Sequence, residues 1–297
     1  MSDKTKYGRV VVVGRPNTGK STLINALVGQ KVAITSPMPQ TTRRSVAVVW
    51  EFEGAKILLT DTPGIVAKFK GTLDRRANKE TEKVSNQAEV MMMVVDLSRP
   101  KSDEENRVIG IVREFGGPKI LVVNKIDKLN PRVDYWPDYE YLSEEFDTTI
   151  KISALKEQGL ADLREAVYGL LPDKTNREMA KAIDDLLKRS GPGHISIDSK
   201  QFLAELIREK AYLYLRREIP YSVAVEVEKI EDKKEMLVVK AVIFTNEERY
   251  KKMIIGKGGA KIKEIGFNSR KEMELMAGRK VYLELRVEVD RHWSERL

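Results

Sequence analysis

The sequence predicts an α/β domain with a mixed, mostly parallel sheet, followed by a smaller α+β domain. Three observations support this prediction. A length of 297 residues is typical of about two domains. Residues 9–171 alternate short runs rich in valine and isoleucine with helical patterns, as expected for strands buried on both faces of a sheet. Residues 200–297 instead follow the order α-β-β-α-α-β.

The first domain has strand character in the segments RVVVVG, SVAVVW, AKILLTD, VMMMVVD, KILVVNK and TIKISA. Helical segments lie between most of these strands, and this alternation favours a mainly parallel arrangement. The run Met91–Met93 is unusual, but flexible, apolar side chains of this kind commonly fill the core around a central strand. We interpret the three methionines as core residues.

The second domain begins near Lys200, after a linker. Within residues 172–199 the segment NREMAKAIDDLLKRS predicts a short amphipathic helix, and GPGH then breaks it. The following segments predict a helix, a hairpin around the charged EDKK, a helix over Ala260–Met276, and a final alternating strand, VYLELRVEVD. We therefore place the domains at 1–171 and 200–297, with an interdomain linker at 172–199.

Composition excludes several classes of function. The chain has no cysteine, so disulfides, thiol nucleophiles and zinc–cysteine sites are excluded, in keeping with a reducing cytoplasm. Two histidines argue against a histidine-based metal centre, and no apolar run reaches the length of a transmembrane helix. The net charge of +8 favours a polyanionic partner, either nucleic acid or an anionic membrane surface.

The first glycine-rich segment, GRPNTGKST, matches the phosphate-binding pattern G-x-x-x-x-G-K-[S/T]. It follows a strand and opens a helix, which is the context that this pattern requires. Backbone N–H groups would surround phosphate oxygens, the lysine would reach the β and γ phosphates, and the serine hydroxyl would bind Mg²⁺. The candidate nucleotide-binding residues here are Gly14, Asn17, Thr18, Gly19, Lys20, Ser21 and Thr22.

Further motifs follow at the ends of later strands, in the order expected for a guanine-nucleotide site. In DTPG, the aspartate can reach Mg²⁺ through water and the glycine N–H can sense a γ-phosphate. The aspartate of NKID can accept hydrogen bonds from N1 and N2 of guanine, a donor pair that adenine lacks. The segment SAL offers backbone N–H groups to guanine O6. These motifs add Asp61, Thr62, Pro63, Gly64, Asn124, Lys125, Asp127, Ser153, Ala154 and Leu155.

A chance match is negligible for four motifs in this order, each at the carboxyl end of a strand. Together with QTTR they resemble the TrmE–Era branch of translation-factor-type GTPases. This resemblance implies that a threonine within residues 35–44 closes over the γ-phosphate and binds Mg²⁺. By position the metal ligand corresponds to Thr42, with Thr41 the weaker candidate, so the predicted Mg²⁺ ligands are Ser21, Thr42 and Asp61.

Hydrolysis lacks its usual water-positioning side chain, because Ile65 stands where Ras-like GTPases carry a glutamine. Either hydrolysis depends on a partner, or another cation contributes. Asn17 matches the asparagine of branch members that use K⁺, which implies that it holds K⁺ near the phosphates. The alternative is that Asn17 only stabilises the loop. The candidate catalytic residues are Lys20, Thr42, Gly64 and Asn17.

The second glycine-rich segment, MIIGKGGAKIKEIG, is not a second nucleotide site. No serine or threonine follows either of its lysines, and no guanine motif comes after it. Its G-x-x-G between two helices resembles a type II KH domain, in which this loop clamps about four nucleotides of a single strand. The basic run around it would add attraction to phosphates. The candidate RNA-binding residues are Ile255, Gly256, Lys257, Gly258, Gly259 and Lys261.

A P-loop GTPase domain followed by one type II KH domain resembles the Era family over nearly the whole chain. The resemblance implies a GTPase that uses Mg²⁺, binds 16S rRNA near its 3′ end and assists assembly of the 30S subunit. It also implies a cytoplasmic protein with some peripheral association at the inner face of the membrane, and it names no stable protein partner. A tRNA-modifying GTPase is disfavoured because its folate-binding and helical domains are missing. A tandem-domain ribosome-assembly GTPase is disfavoured because there is one set of motifs.

The alternative from another class is a GTP-gated, membrane-associated or cell-cycle signalling switch, with RNA binding secondary. Under either interpretation GTP would order residues 35–44 and the segment after Gly64. We expect GTP and RNA affinities to be coupled reciprocally.

Overall fold

The computed structural model describes residues 5–33, 45–66, 72–130, 132–173, 176–190, 199–215 and 219–292. The chain divides into two compact units, Met1–Ser196 and Ile197–Leu297. Among the described residues, no helix is both long and apolar enough to cross a membrane.

The first unit is built on a sheet with the strand order β2-β3-β1-β4-β5-β6. Strand β2 runs antiparallel to β3, and the other neighbours are parallel, which confirms the predicted mixed, mostly parallel sheet. The strands are β1 (Tyr7–Val13), β2 (Val46–Phe52), β3 (Ala55–Asp61), β4 (Val90–Asp96), β5 (Lys119–Asn124) and β6 (Thr148–Lys151).

The central strands are apolar because both of their faces are covered. Every residue of β4 is buried, and Met91, Met92 and Met93 are each at most 1 % exposed. The methionines therefore lie in the core, as predicted. Asp61, Asp96 and Asn124 all stand at the carboxyl ends of their strands.

The helices of this unit are α1 (Lys20–Val28), α2 (Thr72–Ser85), α3 (Asp103–Glu114), α4 (Leu160–Leu170) and α5 (Arg177–Ser190). Helix α1 begins at the lysine of the first glycine loop, so its N-terminal N–H groups open onto that loop. Helix α3 is capped by Ser102, whose N–H and hydroxyl both donate to Glu105. This cap fixes the start of α3.

Helix α5 falls in the segment that the sequence assigned to an interdomain linker. It instead packs on the sheet of the first unit, where Met179 and Ile183 join a cluster with Val49 and Leu58. At the rim of this cluster, Asp184 accepts from Lys56 Nζ at 2.7 Å and from the hydroxyl of Tyr7. The apolar stripe of the predicted amphipathic helix thus covers β2 and β3 rather than connecting two bodies.

The second unit has the predicted order α-β-β-α-α-β. Its sheet has the order β7-β8-β9, with β7 antiparallel and β9 parallel to the central β8. The elements are α6 (Ser199–Tyr214), β7 (Val223–Lys233), β8 (Met236–Thr245), α7 (Glu248–Ile255), α8 (Ala260–Ala277) and β9 (Lys280–Val289).

Strand β9 shows the predicted two-residue alternation near its two ends, whereas residues 283–285 in its middle are all half-buried. Val281 and Val287 are buried, whereas Tyr282 and Arg286 are exposed. On the outer face, Arg286 of β9 reaches across the sheet to Glu228 of β7, with a nitrogen–oxygen distance of 2.7 Å. The other face carries the helices, and the loop between α7 and α8 holds the second glycine-rich segment.

Candidate functional site

The first glycine loop is closed by its own lysine. Lys20 is 6 % exposed, and its Nζ donates to the carbonyl oxygens of Gly14 and Arg15, each at 3.0 Å. Burial lowers the pKa of Lys20 to about 8, and the carboxylate of Asp61 opposes that shift. An anion at this loop would favour the charged form of the lysine, so the site is electrostatically suited to phosphate.

Glycines are required here because neighbouring groups leave no room for a side chain. A Cβ on Gly14 would lie 2.6 Å from the carbonyl oxygen of Val94, and one on Gly64 would lie 2.7 Å from the backbone of Pro16. Gly19 has a φ of +96°, and a Cβ there would collide with the amide of Asn124. The loop is therefore enclosed on several sides.

Asn124 joins three of the predicted motifs at the carboxyl edge of the sheet. Its Nδ2 donates to the carbonyl of Thr18 at 2.8 Å. Its Oδ1 accepts from the N–H of Lys125 at 2.8 Å and from the N–H of Ala154 at 3.0 Å. The N–H of Ala154, predicted to face guanine O6, thus contributes a hydrogen bond within the site.

The predicted base-recognition residues also lie together. The hydroxyl of Ser153 donates to Oδ1 of Asp127 at 2.5 Å and accepts from the N–H of Lys156 at 3.2 Å. This contact orients the exposed carboxylate of Asp127, a role for the Ser153 side chain that the sequence did not indicate. Leu155 is 66 % exposed beside it.

Ser21 and Asp61, two of the predicted Mg²⁺ ligands, are in direct contact. The Ser21 hydroxyl donates to Oδ2 of Asp61 at 2.6 Å, and Asp61 is 1 % exposed. A hydroxyl and a carboxylate are hard oxygen donors of the type that Mg²⁺ prefers, so these residues fit the ion. Next to them, Thr62 donates from its hydroxyl to the carbonyl of Val12 at 2.7 Å, which fixes the start of DTPG. Thr41 and Thr42 lie outside the described residues.

Ile65 is fully buried in the core beneath the sheet. Its N–H donates to the carbonyl of Gly14 at 3.3 Å, so DTPG is tied to the first loop. Its side chain cannot orient a water molecule, in agreement with the sequence.

Asn17 has a φ of +64°, in the left-handed region that non-glycine residues rarely adopt. Pro63 lies next to Gly64 in DTPG, and Thr22 lies in the first turn of α1.

Sequence reasoning missed a group of charged residues behind the loop. Arg15 is 4 % exposed, forms an ion pair with Glu105, and donates to the hydroxyl of Ser102 at 3.2 Å. Asp96 pairs with both Lys125 and Arg99. Of this group, Asp96 could have been noticed in the sequence, because it is a carboxylate at the end of an otherwise wholly apolar strand.

The second glycine loop has a different character. Gly256, Gly258 and Gly259 have φ values of +75°, +60° and +77°, so the backbone turns sharply between α7 and α8. Lys257 and Gly258 are exposed, and a Cβ on Gly258 would meet no atom within 4 Å. A long ligand can therefore approach the backbone of this loop from outside.

Two predicted members of the second site, Lys261 and Ile255, are not fully exposed. Lys261 is half-buried, and its Nζ donates to the carbonyl of Tyr214 at the end of α6, at 3.1 Å. Ile254 is fully buried in the core, whereas Ile255 is half-buried next to the loop. The exposed positive charge at the tip of the loop comes from Lys257.

Both units are similar to known protein families. Residues 9–125 match the model of the 50S ribosome-binding GTPase family, and residues 218–294 match that of the KH domain. The GTPase Era of Stenotrophomonas maltophilia strain K279a is 37 % identical over 300 residues, covering 99 % of this chain and 96 % of the relative.

Two solved Era structures have closely similar folds. A tyrosine-to-alanine variant of Aquifex aeolicus Era bound to GDP·AlF4⁻ has a TM-score of 0.86 and 34 % identity, covering 98 % of this chain and 96 % of its own. Era in complex with MgGDPNP and nucleotides 1506–1542 of 16S ribosomal RNA has a TM-score of 0.87 and 34 % identity, covering 99 % and 96 %. With its GTPase and KH units, the chain belongs to the Era family of GTPases.

Proposed function

We propose that this GTPase is an RNA-binding switch that recognises 16S rRNA near its 3′ end and assists maturation of the 30S subunit. One observation carries the proposal: an enclosed phosphate loop fastened to a guanine-type motif by Asn124, in a chain whose other unit presents an open G-x-x-G loop. A solved relative that is similar over both units binds MgGDPNP and a 16S rRNA fragment.

In the first unit, Lys20 would hold the β and γ phosphates of GTP. The N–H groups of Gly19 and of the first turn of α1 would surround the phosphate oxygens, aided by the helix dipole. Ser21 and Asp61 would hold Mg²⁺, with Thr42 as the third predicted ligand. When bound, that ion supplies positive charge to the phosphate oxygens. The protein's part is to keep hydroxyl and carboxylate together, as their 2.6 Å contact does.

Asp127 would select guanine over adenine by accepting hydrogen bonds from N1 and N2. The hydroxyl of Ser153 fixes its carboxylate for that task. Lys125 would lie along the base, and the segment Ser153–Leu155 would face guanine O6. Discrimination of this kind is strong, because a base without the donor pair leaves a carboxylate unpaired.

Hydrolysis would require the γ-phosphate to be positioned by Gly64 and Thr42, since Ile65 offers no polar group. Two interpretations of Asn17 lead to different results. If it helps to hold K⁺, GTP hydrolysis is faster in KCl than in NaCl at equal ionic strength. If it only shapes the loop through its left-handed backbone, the two rates are equal.

In the second unit, the backbone of Gly256–Gly259 would contact the sugar-phosphate chain of a single RNA strand. Lys257 would attract the phosphates, and Ile255 would contribute apolar surface beside the loop. A cytoplasmic location follows from this assignment to ribosome maturation. We also propose peripheral contact with the membrane, which the net charge of +8 supports through attraction to anionic lipids.

The test is a titration of the full chain with an RNA of the 16S 3′-terminal sequence and a scrambled RNA of equal length. We expect preference for the 16S sequence, different RNA affinity in the GDP and GTP-analogue forms, and stimulated multiple-turnover hydrolysis with cognate RNA. Equal affinity in both nucleotide forms would refute the coupling. Binding to anionic vesicles that exceeds RNA binding would favour a signalling switch instead.

A further inference from the structure

A single buried carboxylate holds two cations behind the first glycine loop. Asp96, at the end of β4, is 1 % exposed. Its Oδ2 accepts from Lys125 Nζ at 2.7 Å and lies 3.1 Å from Nε of Arg99. Its Oδ1 accepts from the N–H and the hydroxyl of Ser98, at 3.0 and 2.6 Å. Both oxygens of Asp96 are thus engaged, and the positions of the two cations follow from its own.

Arg99 and Lys125 donate hydrogen bonds to consecutive carbonyl groups of the loop. Nη2 of Arg99 donates to the carbonyl of Pro16 at 2.7 Å, and Nζ of Lys125 donates to the carbonyl of Asn17 at 2.6 Å. These carbonyls belong to the peptide planes on either side of the Cα of Asn17. Holding both planes sets φ and ψ of that residue, which explains how Asn17 is kept at a φ of +64°.

The charge state of this arrangement is secure at neutral pH. Burial raises the pKa of Asp96, but the hydrogen bonds from Lys125 and Ser98 outweigh burial and the net pKa lies below its ordinary value. Burial and the neighbouring Arg15 lower the pKa of Arg99, but its guanidinium remains protonated at neutral pH. Its side chain is 37 % exposed, so its removal need not disturb the core.

We propose that Arg99, oriented by Asp96, is a positioning residue for GTP hydrolysis because it fixes the Pro16–Asn17 segment of the loop. This inference rests on the proposed function, since it assumes that hydrolysis takes place at this loop. Arg99 donates to the carbonyl of Pro16 and pairs with Asp96, and neither of these groups is assigned to hold the phosphates, Mg²⁺ or the base. Its loss would therefore misplace reacting groups more than it would weaken nucleotide binding.

The guanidinium of Arg99 divides its two contacts between two nitrogens held in one plane. Arg99 uses one nitrogen for the carboxylate of Asp96 and another for the carbonyl of Pro16. A lysine at position 99 would have to reach Asp96 and Pro16 from one nitrogen on a shorter side chain, as Lys125 does for Asp96 and Asn17. Arg99→Lys should consequently restore only part of the function lost in Arg99→Gln.

The experiment compares Arg99→Gln, Arg99→Lys and Arg113→Gln in the full chain. We expect Arg99→Gln to lower kcat roughly tenfold, because small misplacement of reacting groups is costly, while the Kd values for GDP and a GTP analogue stay within about twofold. Arg113→Gln is the matched control. It removes a two-bond pair with Glu145 on the same segment of chain but away from the loop, and it should hydrolyse GTP at the unaltered rate.

An unchanged kcat in Arg99→Gln would overturn the inference. So would a parallel loss of kcat, nucleotide affinity and Tm, because a purely structural residue would produce that pattern. If Lys20→Met retained full GTPase activity, the loop itself would be wrongly assigned. That outcome would overturn the proposed function and can be told apart from failure of the Arg99 proposal alone.

Discussion

The two glycine loops begin helices in a similar way but differ in how far the protein encloses them. The first is fastened by Lys20, Asn124 and Arg99, and its glycines have no room for a Cβ. The second has an exposed tip at Gly258 with open space around it. An enclosed loop suits a compact triphosphate that must be held on all sides. An open loop suits a polymer that enters and leaves along its length.

The largest expected effect comes from the lysine inside the enclosed loop. Lys20→Met should weaken GTP and GDP binding by roughly 1,000-fold, because truncating a buried, hydrogen-bonded charge typically costs about 2–5 kcal/mol. RNA binding by the second unit should stay unchanged. Calorimetric titration with each ligand checks both statements. Retained nucleotide affinity together with lost RNA binding would reverse the assignment of the two loops.

A matched pair of alanine substitutions tests enclosure directly. Gly19→Ala combines a left-handed φ with a collision at Asn124, and we expect it to lower the free energy of unfolding by about 3 kcal/mol. Gly258→Ala introduces backbone strain without a collision, and it should lower the free energy of unfolding by about 1 kcal/mol. Urea denaturation followed by a probe in each unit measures the two losses. Equal losses would mean that the loops are equally enclosed.

A charge placed on the open loop should affect RNA and leave GTP alone. Gly258→Asp should weaken RNA affinity about tenfold at fixed salt, because the carboxylate would face the phosphates. Gly278→Asp is the control, since Gly278 has a φ of +63° and equally open surroundings at the end of α8. Filter binding measures the RNA affinity, and a basal GTPase assay shows whether GTP hydrolysis is unchanged. Equal weakening in both variants would show that net charge, rather than the loop, governs RNA affinity.

The smallest effect follows from the pKa of Lys20. Because that pKa is lowered to about 8, the charged form that phosphate requires is depleted as the pH rises. Affinity for GDP should fall about fourfold between pH 7 and pH 8.5, with uptake of a proton on binding. Lys20→Arg keeps its charge over this range and should show no such slope, whatever its affinity. An affinity of the natural protein that does not vary with pH would contradict the assignment.

Motifs and strands could be predicted because each depends on short stretches of sequence. Val10–Val13 and Met91–Met93 are apolar at successive positions, which is what burial on two faces requires. Asp61 and Asn124 then follow as the last residues of their strands, and the sheet brings them to one edge. The α-β-β-α-α-β order of the second unit is confirmed for the same reason.

Contacts between distant segments could not be predicted. Nothing in the local sequence of Arg99 indicates that it reaches Pro16, 83 positions away. Lys261 was predicted to face RNA, and no local pattern shows that its amine donates to Tyr214. The amphipathic pattern of α5 predicted a helix with one apolar face but could not name Val49 and Leu58 as what that face covers.

The packing of α5 decides where a free-standing GTPase fragment should end. Cleavage after Leu171, the boundary suggested by sequence, would strip Met179 and Ile183 from the sheet and leave Val49 and Leu58 facing water. It would also remove the carboxylate that binds Lys56 and Tyr7. A truncation that keeps the chain through Ser190 retains this cover. We expect the shorter fragment to aggregate and the longer one to remain an autonomous folding unit.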